Sequence, residues 1–158
     1  MNLEFPKIGV VGAGSWGTAL ANLLSVKGYG VELWAFEKLL KESINADNEN
    51  KLFLPGIKLS PTLSASNDIA GVVTDKDLVL IVVPSHVMRE IAIQAAGHLD
   101  DRSVVVTASK GIEIKTHLTM TGILQEILPP AFSDQLAVLS GPTFAKEVVV
   151  KVPTVATA

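Results

Sequence analysis

The sequence predicts an α/β fold: an open, doubly wound, mostly parallel sheet between two helical layers, with all 158 residues in one domain. Three observations carry that expectation. Short apolar runs alternate with amphipathic stretches in βαβα order from end to end, the pattern of parallel strands joined by crossover helices. Gly12-Ala13-Gly14-Ser15-Trp16-Gly17 stands between the apolar run Ile8 to Val11 and the amphipathic stretch Thr18 to Lys27. Leu78 to Val83 is apolar on both faces, which suits a central strand covered from two sides.

Each element has a local signature. Ile8 to Val11 is the first strand and Thr18 to Lys27 lies in the first helix. After the turn Gly28-Tyr29-Gly30, Val31 to Ala35 is the second strand, and Leu39, Leu40, Ser43 and Ile44 give the next helix its inner face. Asp47 to Pro61, with Asn48, Asn50 and the Pro55-Gly56 turn, reads as a long irregular connection, of a length that often serves function or motion. Thr62 to Ala65 is a short strand, and Ile69, Val72 and Val73 face inward from a short helix before the run Leu78 to Val83. Pro84 sits in the first turn of a helix whose inner face is Val87, Met88, Ile91, Ala92 and Ala95, and Gly97 ends it. Ser103 to Thr107 is the fifth strand. Met120, Ile123, Leu124, Ile127 and Leu128 share one helical face, and Pro129-Pro130 stops that helix. Leu136 to Leu139 is the sixth strand, and Pro153 to Ala158 is expected to be a seventh.

Composition narrows the function. Hydrophobic residues make up 48% and charged residues 18%, an ordinary globular balance that excludes disorder. The net charge is −3 and no Lys or Arg cluster exists, so there is no electrostatic footprint for nucleic acid or an anionic membrane. Backbone amides must then do much of any anion binding. The absence of cysteine excludes disulfides, thiol nucleophiles and Cys-ligated zinc, and fits a reducing cytoplasm. Leu78 to Val83 falls far short of the roughly 18 apolar residues of a membrane span. With Glu4 and Pro6 near its start, the chain also lacks the basic and apolar regions of a secretory signal, and a soluble protein is expected.

Strand, glycine turn and helix in that order make the first half of a dinucleotide-binding βαβ unit of the Rossmann type. Gly12 allows the tight turn out of the strand. Gly14 has no Cβ to obstruct a pyrophosphate, and Gly17 lets the helix pack closely. The unpaired amides at the helix start face the phosphates. Ligands of such sheets lie beyond the carboxyl ends of the strands, where the strand order reverses. The loops to inspect are therefore Gly12 to Gly17, Phe36-Glu37, Pro84-Ser85-His86, Ala108-Ser109-Lys110-Gly111 and Ser140-Gly141-Pro142-Thr143, all five expected in one crevice.

Within these loops, Lys110 either presents a point charge to an anion or is a solvated loop lysine. Gly141-Pro142-Thr143 precedes a short helix through Val149, with Pro142 in its first turn, and its amides either meet a phosphate or hydroxyl or simply turn the chain. Trp16 is a cofactor contact or a core anchor. His86, beside Ser85 at a helix start, suits a structural or ribose-adjacent place better than catalysis. His98 and His117 are assigned no role, and no metal set is evident.

Several segments together resemble one family. Gly12-Ala13-Gly14-Ser15-Trp16-Gly17-Thr18-Ala19-Leu20-Ala21, Leu33-Trp34, Leu54-Pro55-Gly56, Val83-Pro84-Ser85-His86, Ser109-Lys110-Gly111-Ile112-Glu113 and Leu139-Ser140-Gly141-Pro142-Thr143-Phe144-Ala145 look like those of NAD(P)-dependent glycerol-3-phosphate dehydrogenase. The likeness spans the chain in order. The resemblance implies an oxidoreductase that reduces dihydroxyacetone phosphate to sn-glycerol 3-phosphate with a nicotinamide hydride, feeding glycerophospholipid synthesis. Family members continue into an all-helical substrate domain that supplies the catalytic lysine and assemble as cytoplasmic homodimers. It therefore implies that residues 1–158 are the cofactor domain, with no catalytic residue and little turnover of their own, and that an apolar edge is left to self-associate. By the same resemblance Lys110 contacts both substrate and cofactor, Gly141 and Thr143 touch the phosphorylated substrate, and Ser15, Trp16 and Ala145 touch the cofactor.

Cofactor choice departs from the simple pattern. An acidic residue about 20 positions after the glycines usually holds the NAD ribose, and arginine there accommodates the NADP phosphate. Here the strand ends at Ala35, followed by Phe36, where family members often carry arginine or histidine, and then Glu37. Pointing inward, Glu37 would repel a 2′-phosphate and favour NAD over NADP. Pointing outward it says nothing, and Lys38 weakens the inference further. Two other readings stand beside the leading one. A different two-domain dehydrogenase, acting on ketopantoate or 6-phosphogluconate, shares the first glycine motif but not the segments after Lys110. An NAD(H)-binding sensor or interaction domain without turnover is compatible with the fold alone.

Overall fold

The computed structural model describes residues 6–158, so the expectation drawn from Glu4 lies outside the described residues. Strands β1 (Lys7–Val11), β2 (Gly30–Trp34), β3 (Ser64–Ser66), β4 (Leu78–Ile81), β5 (Val104–Thr107) and β6 (Leu136–Val138) form one parallel sheet in the order β3-β2-β1-β4-β5-β6. Helices α1 (Ser15–Val26), α2 (Lys38–Asp47), α3 (Ile69–Val73), α4 (Met88–Ala96), α5 (Met120–Ile127) and α6 (Ala145–Val149) connect and follow the strands. The chain winds outward from β1 to β3 and returns to place β4 on the other side of β1. The winding therefore reverses between β1 and β4, where Ile8 pairs with Leu78 and Val11 with Ile81.

Strand alternation divides the apolar residues into two cores. Val10, Leu33, Leu80 and Val82 face Leu20 and Ala21 of α1 and Leu40 and Ile44 of α2. Val11, Val79, Ile81 and Val105 face the opposite layer of Val72, Val73, Met88, Ile91, Ile123, Leu124 and Phe132. The sheet is thus doubly wound, and β4 is buried from both sides as its composition requires.

Three expectations need correction. Leu39 is 79% exposed, because α2 turns only Leu40 and Ile44 fully inward. Pro153 to Ala158 is not a strand: past α6 the chain runs back antiparallel to β6, and only Ser140 and Thr157 exchange hydrogen bonds, of 2.9 and 2.8 Å. Helix α6 begins at Ala145 behind Phe144, so Pro142 lies before its first turn rather than in it.

The long connection after α2 is irregular but tethered. Along α1, Thr18, Asn22 and Ser25 form a buried polar stripe at helical spacing. Asn50 Nδ2 donates to Thr18 Oγ1 at 2.7 Å, Ser60 N–H donates to Asn22 Oδ1 at 2.7 Å, and the Ser25 and Thr62 hydroxyls bond at 2.9 Å. Leu54, Leu59 and Leu63 bury themselves beside that stripe.

The glycines set the closest approaches. Gly12 has φ +117°, and a Cβ there would stand 2.2 Å from the Val82 carbonyl oxygen. One on Gly17 would stand 1.9 Å from Gly12 O, whereas one on Gly14 would meet nothing within 4 Å. Gly17→Ala is therefore expected to cost about 2 kcal/mol or more, lowering the melting midpoint by roughly 5 °C. Gly14→Ala loses only a glycine helix cap and is expected to lower it by roughly 2 °C at most. Thermal unfolding of the two variants, followed by circular dichroism, checks the order; equal losses would contradict it.

Candidate dinucleotide site

A cleft of about 440 Å³ opens at the carboxyl ends of the strands, at the winding reversal. Its wall comes from Gly14 to Gly17 after β1, Val82 to Pro84 after β4, Ala108 to Lys110 after β5, and Thr143 to Ala145 after β6. Four of the five anticipated loops thus meet. The fifth does not: Phe36 is 77% exposed beyond the end of β2, its ring edge-on to Trp34 with centroids 6.2 Å apart, and it lies outside the cleft wall.

Of the anticipated residues, Gly14, Ser15, Trp16, Gly17, Lys110, Thr143 and Ala145 line the cleft. Gly12 sits behind it and fixes the turn. Gly141 is not in the wall either. Its φ of +154° and a would-be Cβ only 2.4 Å from Val155 O make glycine a structural requirement there, and its carbonyl accepts the Lys110 ammonium at 3.0 Å. Lys110 is the one ionisable side chain among the described residues of the wall. Exposed and held by a neutral carbonyl, it keeps its charge available to an anion. Among the described residues Trp16 Nε1–H is buried without a hydrogen-bond partner at the mouth of helix α1, an expensive arrangement unless a ligand supplies an acceptor. Trp16 also packs against the core behind α1, so the core-anchor reading holds in part.

Side chains to which the sequence assigns no individual role brace these loops. Ser109 Oγ accepts from Val83 N–H at 2.9 Å and donates to Ile81 O at 3.4 Å, which ties the ends of β4 and β5 together. Behind Lys110, Arg89 of α4 donates from Nε and Nη2 to the two Glu113 carboxylate oxygens, both at 2.8 Å, and Nη2 also reaches Glu126 of α5 at 2.8 Å. The Thr116 hydroxyl adds a further bond to Glu113. Arg89 follows the inner-face residue Met88, a position normally written off as a solvated flank, so no periodicity signalled its partners.

A larger depression of about 690 Å³ lies at the opposite, amino-terminal ends of the strands, lined by Lys7, Asp75, Lys76, Asp77, Asp100 and Arg102. Of its three cations, Lys76 and Arg102 are already paired with Glu32 and Asp100, and its described lining includes no glycine turn or helix start. It lacks the anion-binding parts that the strand-end cleft has. Among the described residues no helix is long and apolar enough to cross a membrane.

Comparison with known proteins is consistent across sequence and structure. The family described as NAD-dependent glycerol-3-phosphate dehydrogenase N-terminus matches residues 7–158. A glycerol-3-phosphate dehydrogenase (NAD(P)+) of Syntrophobacter fumaroxidans is 51% identical over 95% of this chain and 44% of its own length. That of Geobacter sulfurreducens is 50% identical over 94% of this chain and 44% of its own length. Glycerol-3-phosphate dehydrogenase from Coxiella burnetii superposes with a TM-score of 0.86 at 31% identity, covering 96% of this chain and 46% of that one. A ketopantoate reductase from Ralstonia eutropha, at 22% identity and TM-score 0.62 over 84% of this chain and 40% of that one, shares the fold alone.

The Arg89 brace has a pH signature. Hydrogen bonds from Arg89, then Thr116, hold the Glu113 carboxyl well below its ordinary 4.5, down to about 2, with burial opposing. A folded-state pKa below the unfolded one stabilises at pH above the unfolded value and loses that contribution as pH falls toward the folded one. The melting-point advantage of the native chain over Glu113→Gln is therefore expected to be full above about pH 4.5 and to vanish toward pH 2. Thermal melts across that range check it, and a gap independent of pH would contradict it.

Proposed function

Because this chain belongs to the NAD-dependent glycerol-3-phosphate dehydrogenase family, we propose that it is the cofactor-binding part of an enzyme interconverting dihydroxyacetone phosphate and sn-glycerol 3-phosphate. The chain spans 44% of the length of the two relatives described above, so the activity belongs to the whole protein. The observation that carries the reading is the cleft itself: an open space at Gly14, an unpartnered Trp16 N–H and one cation, Lys110, converge where a doubly wound sheet binds nucleotides.

NAD(P)H would supply a hydride to the substrate carbonyl. Gly14, Ser15 and Gly17 at the start of α1 would hold its pyrophosphate through amides and the helix dipole. Trp16 and Ala145 would flank it, and Phe36 would lie beside its adenosine half. Lys110 would attract the substrate phosphate, with Thr143 beside it and Gly141 anchoring the ammonium. As the one ionisable residue in the described wall, Lys110 is assigned to binding, and the proton donor to the all-helical substrate domain that resemblance implies. Glu37 is exposed at the start of α2 and close in sequence to Phe36; turned toward a bound ribose, its carboxylate would disfavour a 2′-phosphate and favour NAD over NADP. Delivery of product to glycerophospholipid synthesis, a cytoplasmic location and a homodimeric whole enzyme complete the reading and rest on resemblance alone. The relatives carry dehydrogenase names, which leaves a non-catalytic sensor without support.

Isothermal titration with NADH and NADPH tests the site: NADH is expected to bind the tighter, and failure of both with folded protein would overturn the proposal. Gly14→Val is expected to abolish NADH binding with little loss of fold, because its backbone at φ −65°, ψ 178° is extended and open to any residue. Lys110→Ala is expected to weaken dihydroxyacetone phosphate binding roughly tenfold while leaving the melting midpoint nearly unchanged, as befits an exposed charge-assisted contact. Unchanged substrate affinity would make Lys110 a bystander.

A further inference from the structure

We infer that Asn50, on the long connection after α2, is a positioning residue for the cofactor, fixing the peptide between Ala13 and Gly14 so that the Gly14 N–H faces the cleft. The inference rests on the dinucleotide reading given above. Asn50 is wholly buried. Its Nδ2 donates to Ala13 O at 2.9 Å and to Thr18 Oγ1 at 2.7 Å, and its Oδ1 accepts from Phe53 N–H at 2.8 Å. Those partners fix which way the amide points, because a carbonyl can only accept and a backbone N–H can only donate. Thr18 Oγ1 in turn donates to Ala13 O at 3.3 Å, closing a triangle around that carbonyl.

The consequence follows from peptide geometry. The C=O of Ala13 and the N–H of Gly14 belong to one trans peptide and point in opposite directions. Holding the oxygen against Asn50 and Thr18, inside the protein, directs the N–H away from them, and Gly14 is part of the cleft wall. A glycine turn left to itself would sample other peptide orientations, since glycine admits both signs of φ. Asn50 removes that freedom before any ligand arrives, and pre-organisation of this kind lowers the cost of binding.

Asn22 provides the control. It anchors the same connection to the same helix, through Ser60 N–H at 2.7 Å, but touches no atom of the glycine turn in that bond. Asn50→Ala and Asn22→Ala should therefore loosen the connection alike and differ only at the turn. The test combines amide NMR spectra of the ligand-free chain, melting midpoints and NADH titration. Asn50→Ala is expected to move the Ala13 to Ser15 resonances and to weaken NADH by roughly tenfold, the scale of one hydrogen bond made or lost. Asn22→Ala is expected to leave both as in the native chain. If Asn50→Ala does not fold, Thr18→Val shifts the same resonances in the same direction by less, and Thr18→Ser restores them. Unmoved turn resonances in Asn50→Ala, or equal effects from Asn22→Ala, would overturn the inference. A native chain that ignores NADH, while Asn50→Ala still moves the turn, would overturn the dinucleotide reading and uphold Asn50 as its clamp.

Discussion

Everything at the site depends on how closely two strand ends approach. Where the winding reverses, the backbone at Gly12 comes so near the Val82 carbonyl that a methyl group would stand 2.2 Å from it, and Gly17 brings α1 equally close to Gly12. These contacts bring the start of α1 down to the ends of β1 and β4, so that Gly14 to Gly17 line the crevice there. Replace either contact with a side chain and the helix must lift. The shape of the cleft is thus a packing result, and the open space at Gly14 is what remains when its two neighbours are filled.

A chain of net charge −3 would have to concentrate its attraction locally to bind a polyanion. The cleft would do so with backbone amides, a helix start and one lysine. Amides are weak unless their direction is held, and polar side chains hold these loops, buried at Asn50 and Thr18 and partly exposed at Ser109, Arg89 and Glu126. Ser109 ties β4 to β5, Arg89 with Glu113 and Glu126 braces the loop that carries Lys110, and Asn50 with Thr18 fixes the glycine turn. Ser109 lies in the cleft wall itself, and the other two braces sit one layer behind it.

The layer facing the cleft was largely legible in the sequence, and the layer behind it was not. Apolar runs, glycines and prolines are local signals, so the succession of six strands along the chain, the central place of β4 and the glycines of the cleft could be read directly, while Lys110, Thr143 and Ala145 came from the family resemblance. Phe36 was drawn into the crevice because it follows a strand, but adjacency in sequence does not set how far a loop reaches. The supposed strand after Pro153 failed because β propensity is satisfied there by a single bridge to Ser140. At Gly141 the motif shows no reason for glycine that sequence could reveal, since the Val155 carbonyl that crowds it is 14 residues away. Braces such as Arg89 to Glu113 join residues 24 apart on different elements, and no periodicity records such a pairing. The stripe of Thr18, Asn22 and Ser25 did carry a signal, since polar residues at helical spacing on an otherwise buried face need partners.

The most direct test of a nucleotide cleft at the winding reversal is to map where NADH touches the chain, by following backbone amide resonances through a titration. NADH is expected to perturb Gly14 to Gly17, Val82 and Val83, Ser109 and Lys110, and Ala145, which come together in the cleft. Perturbation centred on Lys7, Asp75 to Asp77 and Arg102, at the other end of the strands, would contradict it.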